Sequence, residues 1–165
     1  MTIRRRVILL VIILVTIAID QQTKVMARAS LMNAYPRHYA SVLTLLYTEN
    51  PGAFLSLGSN LPANVRHLIF DGLVSIGLLV AAFVLFTGRM QPGPDDVAIA
   101  LIIGGGAGNL IDRFRLGGRV TDFIFLQAGP LHTGVFNVAD MAITGGVLWL
   151  ALSWVASSMR KKTAS

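Results

Sequence analysis

Four apolar runs organise the chain: Val7–Ile19, Leu68–Thr87, Val97–Ile111 and Val135–Ser157. A helix needs about 20 mostly apolar residues to cross a bilayer. The second and fourth runs reach that length. The first stops at Asp20, so its span has to continue through Lys24 towards Ala27, and the third has to continue past Asp112 or Arg113. The pattern predicts four helices, at about 7–27, 67–87, 96–113 and 136–157, within one domain covering residues 1–165. The expected fold class is an all-α membrane protein, a four-transmembrane-helix bundle.

The polar interruptions are not scattered. A chain that alternates direction brings together the end of span one, the start of two, the end of three and the start of four. Those places hold Asp20 and Lys24, then Asp71, then Asn109, Asp112 and Arg113, then Asn137 and Asp140. Ionisable groups inside a membrane are costly and mark function by default. Here they gather near one surface. Two loops open on the same side. Val42–Tyr47 is strand-like and runs into the turn signal Asn50-Pro51-Gly52; Gly118–Leu126 is rich in Val, Phe and Ile and carries Asp122. They are expected to form a small extracytoplasmic β element over the bundle.

Composition agrees with a membrane reading. Of 165 residues 54% are hydrophobic and 13% charged, against about 25% charged in soluble domains. With no cysteine there is no thiolate nucleophile or disulfide, and His38, His67 and His132 are too far apart for a ligand pair. No metal or cofactor is expected. The net charge of +6 is not collected into a stripe with aromatics, which argues against nucleic acid. Arg4–Arg6 before the first span and Arg160–Lys162 after the last place both termini in the cytoplasm, outweighing the outer arginines. The polar end then faces outward. Arg4–Arg6, the apolar run and Ala27-Arg28-Ala29 imitate a cleavable leader, but Asp20 to Lys24 make a poor cleavage approach, so the segment is read as a retained helix.

Asp122 and Asp140 are the leading chemical pair. Two close carboxylates share a proton, so one can accept a proton from water while the other polarises a carbonyl. A second reading makes Asp122 a turn residue and Asp140 a helix cap. Asp20 and Lys24, four apart, pair on one helical face, either lining the cavity or as an interfacial ion pair with the lysine snorkelling. Gly104 to Asn109 fits neither phosphate-binding motif, for lack of the third glycine and of Gly-Lys-Ser/Thr. Gly104 and Gly108 suit close helix contact instead, and Gly105, Asn109 and Arg113 form a ridge.

In order, Asp20-Gln21-Gln22-Thr23-Lys24, Glu49-Asn50-Pro51-Gly52-Ala53-Phe54, GGGAGNLIDR at Gly104–Arg113, GRVTDFI at Gly118–Ile124 and FNVAD at Phe136–Asp140 resemble the lipoprotein signal peptidase (signal peptidase II) family. Phe54 stands one residue earlier than in the family's commoner form. The resemblance implies a four-helix aspartyl endopeptidase of the bacterial inner membrane. Such an enzyme removes the signal peptide of a diacylglyceryl-modified prolipoprotein just before the lipidated cysteine. It implies Asp122 and Asp140 as the catalytic dyad, and Asp20, Lys24, Asn50, Gly105, Asn109, Arg113, Asn137 and Ala139 as lining or supporting the site. Asp112 is expected to brace Arg113 or the neighbouring loop, and Asn50 and Asn137 to hold the substrate backbone. Partners are the prolipoprotein and membrane lipids, and a monomer is the expected state. Two further readings are a proton-coupled transporter, which would place acids at the midplane in repeated halves, and a non-enzymatic lipid-binding or assembly subunit.

Overall fold

The computed structural model describes residues 1–39, 41–52, 58–87 and 92–163. The Ala53-Phe54 part of the Asn50 block and the end of the C-terminal tail lie outside them. The element order is α1 (Ile3–Leu31), β1 (Arg37–Tyr39), β2 (Leu43–Asn50), α2 (Ala63–Phe86), α3 (Pro94–Arg115), β3 (Val120–Ala128), β4 (Leu131–His132) and α4 (Val138–Thr163).

Among the described residues three helices are long and apolar enough to cross a membrane: Ala63–Phe86, Pro94–Arg115 and Val138–Arg160. Helix α3 is the centre, packed against α1, α2 and α4. Large apolar side chains such as Leu79, Phe83, Leu148 and Leu152 stay exposed on the outer helices, an arrangement suited to lipid rather than water. Helix α1 buries a single stripe, Leu9, Ile13, Thr16, Asp20, Lys24, Ala27 and Leu31, at steps of three and four residues. Its first half joins Leu85, Ala100 and Ile103 in an apolar core. Its second half turns charged and meets the polar end of the bundle. Arg5 at the start of α1 is ion-paired to Asp96 at the start of α3.

Glycines on α3 set the helix spacing. A Cβ at Gly105 would sit 2.5 Å from the Ala139 carbonyl oxygen, and one at Gly108 would sit 2.5 Å from Asp20 Oδ2. Small residues here let α4 and α1 approach the α3 backbone.

The β element is a four-stranded antiparallel sheet in the order β1-β2-β3-β4. It is more extensive than the two expected segments: β2 runs on to Asn50, β3 on to Ala128, and β1 and β4 add short edges. Gly117 and Gly118, both at positive φ, turn the chain from α3 into β3. The sheet is anchored by Phe123, with Leu45, Tyr47 and Ile124, on Ala27 and Leu31 of α1. An irregularity between Leu45 and Thr48 puts three residue steps of β2 opposite two of β3, beside Asp122. Such bulges re-aim side chains next to functional sites.

Candidate active site

The polar residues that the sequence places at one end come together in a single cluster, buried except for the half-buried Asp71. Asp122 sits inside β3, opposite Thr48, and is therefore a strand residue rather than a turn residue. Asn50 lies two residues further along β2, within diagonal cross-strand reach, and its Nδ2 donates to Asp122 Oδ2 at 2.9 Å. Asn50 Oδ1 accepts from the Gly52 N–H at 2.9 Å, closing the turn after the strand. The segment before α4 completes the cluster. Ile124 pairs with Phe136, which carries Asn137 against the β3 backbone, and Asn137 Nδ2 donates to Asp122 Oδ1 at 2.7 Å.

Asn137 also starts α4. Its Oδ1 accepts from the Asp140 N–H at 3.0 Å, while Asp140 Oδ2 accepts from the Asn137 N–H at 3.2 Å. This is a reciprocal capping box. Asp140 thus does cap its helix, yet Asp140 Oδ1 remains for Asn109 Nδ2 at 2.9 Å. The capping and site readings of Asp140 describe the same side chain.

Behind the two aspartates lies a charged layer. Lys24 Nζ donates to Asn109 Oδ1 at 2.8 Å and lies 2.9 Å from Asp20 Oδ2 and 3.4 Å from Asp112 Oδ2. With 3% exposure it does not snorkel to the interface, because three oxygen partners meet it inside. Asp20 Oδ1 accepts from the Ala139 N–H at 2.9 Å, adding a second cap to α4. Asp112 braces β3 through the Thr121 N–H at 2.8 Å, the loop side of its expected role rather than Arg113. Arg113 reaches instead to the Gly52 carbonyl at 2.9 Å and stacks over Phe70, 5.6 Å from the ring centre.

Asn137 is fully buried. Its amide is committed to Asp122, to Asn109 Oδ1 at 3.1 Å and to the Thr121 carbonyl at 3.3 Å. In this arrangement the Asn137 amide holds Asp122 from one side, and the Asn50 amide holds it from the other. Sequence reasoning missed two further participants. Gln21 Nε2 donates to Asp20, Asp112 and the Gly108 carbonyl, and Thr121 offers both backbone groups. The adjacency of Gln21 to Asp20 in the same polar block was the available signal.

Asn50, Gly52, Asn109, Arg113, Val120, Asp122 and Asp140 line one cavity of about 10 Å³, the room of a single water. Burial pushes the Asp122 carboxyl up to about 7; the Asn50 amide opposes this and the neighbouring Asp140 charge adds to it. A wider apolar groove of about 900 Å³ at the opposite end is lined by Arg5, Val97, Leu101 and Trp149 among others. It contains none of the expected site residues. Among the described residues no group of acids and histidines is placed to hold a metal ion.

Residues 12–156 match the family model described as signal peptidase (SPase) II. The chain belongs to the signal peptidase II family. It is 39% identical to the lipoprotein signal peptidase of Moorella thermoacetica over 86% of this chain and 88% of the relative. It is 34% identical to that of Hydrogenovibrio crunogenus over 92% and 88%. In fold this signal peptidase II chain is similar to a bacterial membrane enzyme solved by the in meso method, with a TM-score of 0.80, 24% identity and coverage of 93% and 90%. The chain is accordingly a membrane protease of that family, with apolar helices and a small sheet at one end.

Proposed function

We propose that this chain is a membrane aspartyl endopeptidase that removes signal peptides from diacylglyceryl-modified prolipoproteins, cutting just before the lipidated cysteine. The observation that carries the reading is the shared cavity: Asp122 and Asp140 line one water-sized space, Asp122 held by the amides of Asn50 and Asn137 and Asp140 by that of Asn109. One of the pair is charged and takes a proton from water. The other carries a proton and hydrogen-bonds the scissile carbonyl. The water oxygen adds to the carbonyl carbon, the C–N bond breaks, and a proton passes to the amine of the departing cysteine. Asp20, Lys24, Asn109, Asp112 and Asn137 set the positions of the two carboxylates, with Gly105 and Ala139 giving the close α3–α4 contact. Arg113 and Asn50 hold the Gly52 turn.

In this reading α1 is the fourth span. Its 29 residues reach about 43 Å at about 1.5 Å each, enough for a bilayer core. Both termini then lie in the cytoplasm, and the polar cluster lies at the periplasmic face of the inner membrane. A lipidated substrate keeps its acyl chains in the bilayer while its scissile bond meets that surface. The protein works as a monomer, as one domain across residues 1–165. Acids gathered at one end, rather than at the midplane, favour the protease over a transporter.

The test is cleavage of a diacylglyceryl-modified prolipoprotein by purified wild type, Asp122→Asn and Asp140→Asn in detergent, with an unlipidated substrate alongside. Folded variants should be inactive, and wild type should cut only the lipidated form. Full activity in either variant removes that aspartate from the mechanism.

A further inference from the structure

Helix α2 contains a wide π-helical turn, His67–Leu73, before it continues as an α-helix from Val74. π-Turns inside α-helices frequently accompany functional sites. In this one, consecutive residues both address Arg113. Phe70 lies under the guanidinium, 5.6 Å from it, and Asp71 Oδ1 lies 3.9 Å from Arg113 Nε. Neighbours on an α-helix diverge by about 100°, so the wider turn helps bring both side chains to one target. Asp71 is itself held: its Oδ2 lies 2.6 Å from His67 Nδ1 and its carbonyl accepts from the Ser75 hydroxyl.

Asp71 Oδ1 and Arg113 Nε are buried atoms without a hydrogen-bond partner. Each faces the other across a gap slightly too long for a bond. An uncompensated buried charge is strongly unfavourable, and the Asp71 carboxylate is the foremost of the acids whose charge acts on this arginine, ahead of Asp140, Asp122 and Asp112; the arginine itself is 6% exposed. That arginine donates to the Gly52 carbonyl, Gly52 donates to Asn50, and Asn50 donates to Asp122. A continuous chain of contacts therefore runs from the π-turn to the strand aspartate.

We propose that Asp71 is a positioning residue for the peptidase reaction, acting through Arg113 on the Asn50–Gly52 turn and so on Asp122. The inference rests on the dyad reading given above. Its requirement is a negative charge at this point of α2. Without it Arg113 loses the foremost of its counter-charges and is drawn towards the remaining acids, Asp140, Asp122 and Asp112; the Gly52 contact slackens, and Asp122 loses the fixed amide of Asn50.

The experiment measures kcat and KM for lipidated prolipoprotein with purified wild type, Asp71→Asn and Asp71→Glu in detergent, with a melting temperature for each. Asp122→Asn runs alongside as the check on the dyad. Misplacement of reacting groups by fractions of an ångström to an ångström costs up to about a hundredfold in rate. The expected result is a kcat at least about tenfold lower in Asp71→Asn, with KM little changed. Asp71→Glu, which keeps the charge and has the reach to close the gap, should retain most of the rate. Equal kcat in wild type and Asp71→Asn overturns the proposal. So does a loss shared alike by Asn and Glu with a matching fall in melting temperature, which marks a purely structural role. If Asp71→Asn does not purify folded, Asp71→Ser is read by the same criteria. An active Asp122→Asn, or an inactive wild type, instead overturns the dyad reading on which the proposal depends.

Discussion

Asn137 Nδ2 lies 2.7 Å from Asp122 Oδ1, while the same side chain caps the helix on which Asp140 sits. One amide therefore ties the strand acid to the helix acid. Asn137→Ala removes the cap and leaves buried groups unpaired, which predicts a loss of about 1–3 kcal/mol of stability. Activity should fall by about a hundredfold or more, because both carboxylates lose a fixed reference. Thermal unfolding and cleavage kinetics of the variant check the two effects separately.

The raised Asp122 carboxyl makes a pH prediction. The folded protein holds this proton up to about pH 7, whereas an unfolded aspartate releases it near pH 4. The folded state binds more protons between these values, so this group's contribution to stability is largest below about pH 4 and declines as pH rises towards 7. Above that it is level. Wild type should therefore lose melting temperature from pH 5 to pH 7 relative to Asp122→Asn. Parallel curves for the two proteins would show that Asp122 does not titrate there.

Gly108 predicts a steric effect. Alanine there would bring a Cβ to 2.5 Å from Asp20 Oδ2, disturbing the hydrogen bond that the Ala139 N–H donates to Asp20. Gly108→Ala should cost about 1–3 kcal/mol, the usual price of overpacking. Gly145→Ala, whose Cβ would meet nothing within 4 Å, should leave stability within about 1 kcal/mol, the loss of helix-breaking glycine working in its favour. A smaller effect at Gly108 than at Gly145 contradicts the packing.

Lys24 predicts an asymmetric pair effect. Lys24→Met leaves Asp20 and Asp112 without their shared cation, and removing one partner of a buried pair costs about 3–5 kcal/mol. Adding Asp20→Asn removes part of the uncompensated charge and should restore some of that loss. A double-mutant cycle on melting temperatures measures the coupling. Simple additivity would mean that the 2.9 Å contact carries no net energy.

Much of this arrangement was readable along the chain. Helices that must bury one stripe in a bilayer announce themselves through apolar length, and direction reversal alone brings Asp20, Lys24, Asp71, Asn109, Asp112, Arg113, Asn137 and Asp140 to one end. A strand-like run before the Asn50-Pro51-Gly52 turn signal, and a stretch rich in Val, Phe and Ile, marked the two main strands. The short edges at Arg37–Tyr39 and Leu131–His132 had too few residues to show a period.

What the sequence by itself determined is the membrane class, the polar end of the bundle and the residues gathered there. Those follow from solvation, which acts residue by residue and leaves a trace in composition and spacing. Only the tertiary structure decided which atoms meet. A bulge beside Asp122, a bridge from Ile124 to Phe136 and a π-turn at His67–Leu73 set which side chains come within hydrogen-bond reach of the two aspartates and of Arg113. They settle Asn137 between Asp122 and Asp140, Lys24 inside rather than at the interface, and Arg113 on Gly52. Hydrogen bonds depend on direction and on tenths of an ångström, and neither is written in a one-dimensional pattern.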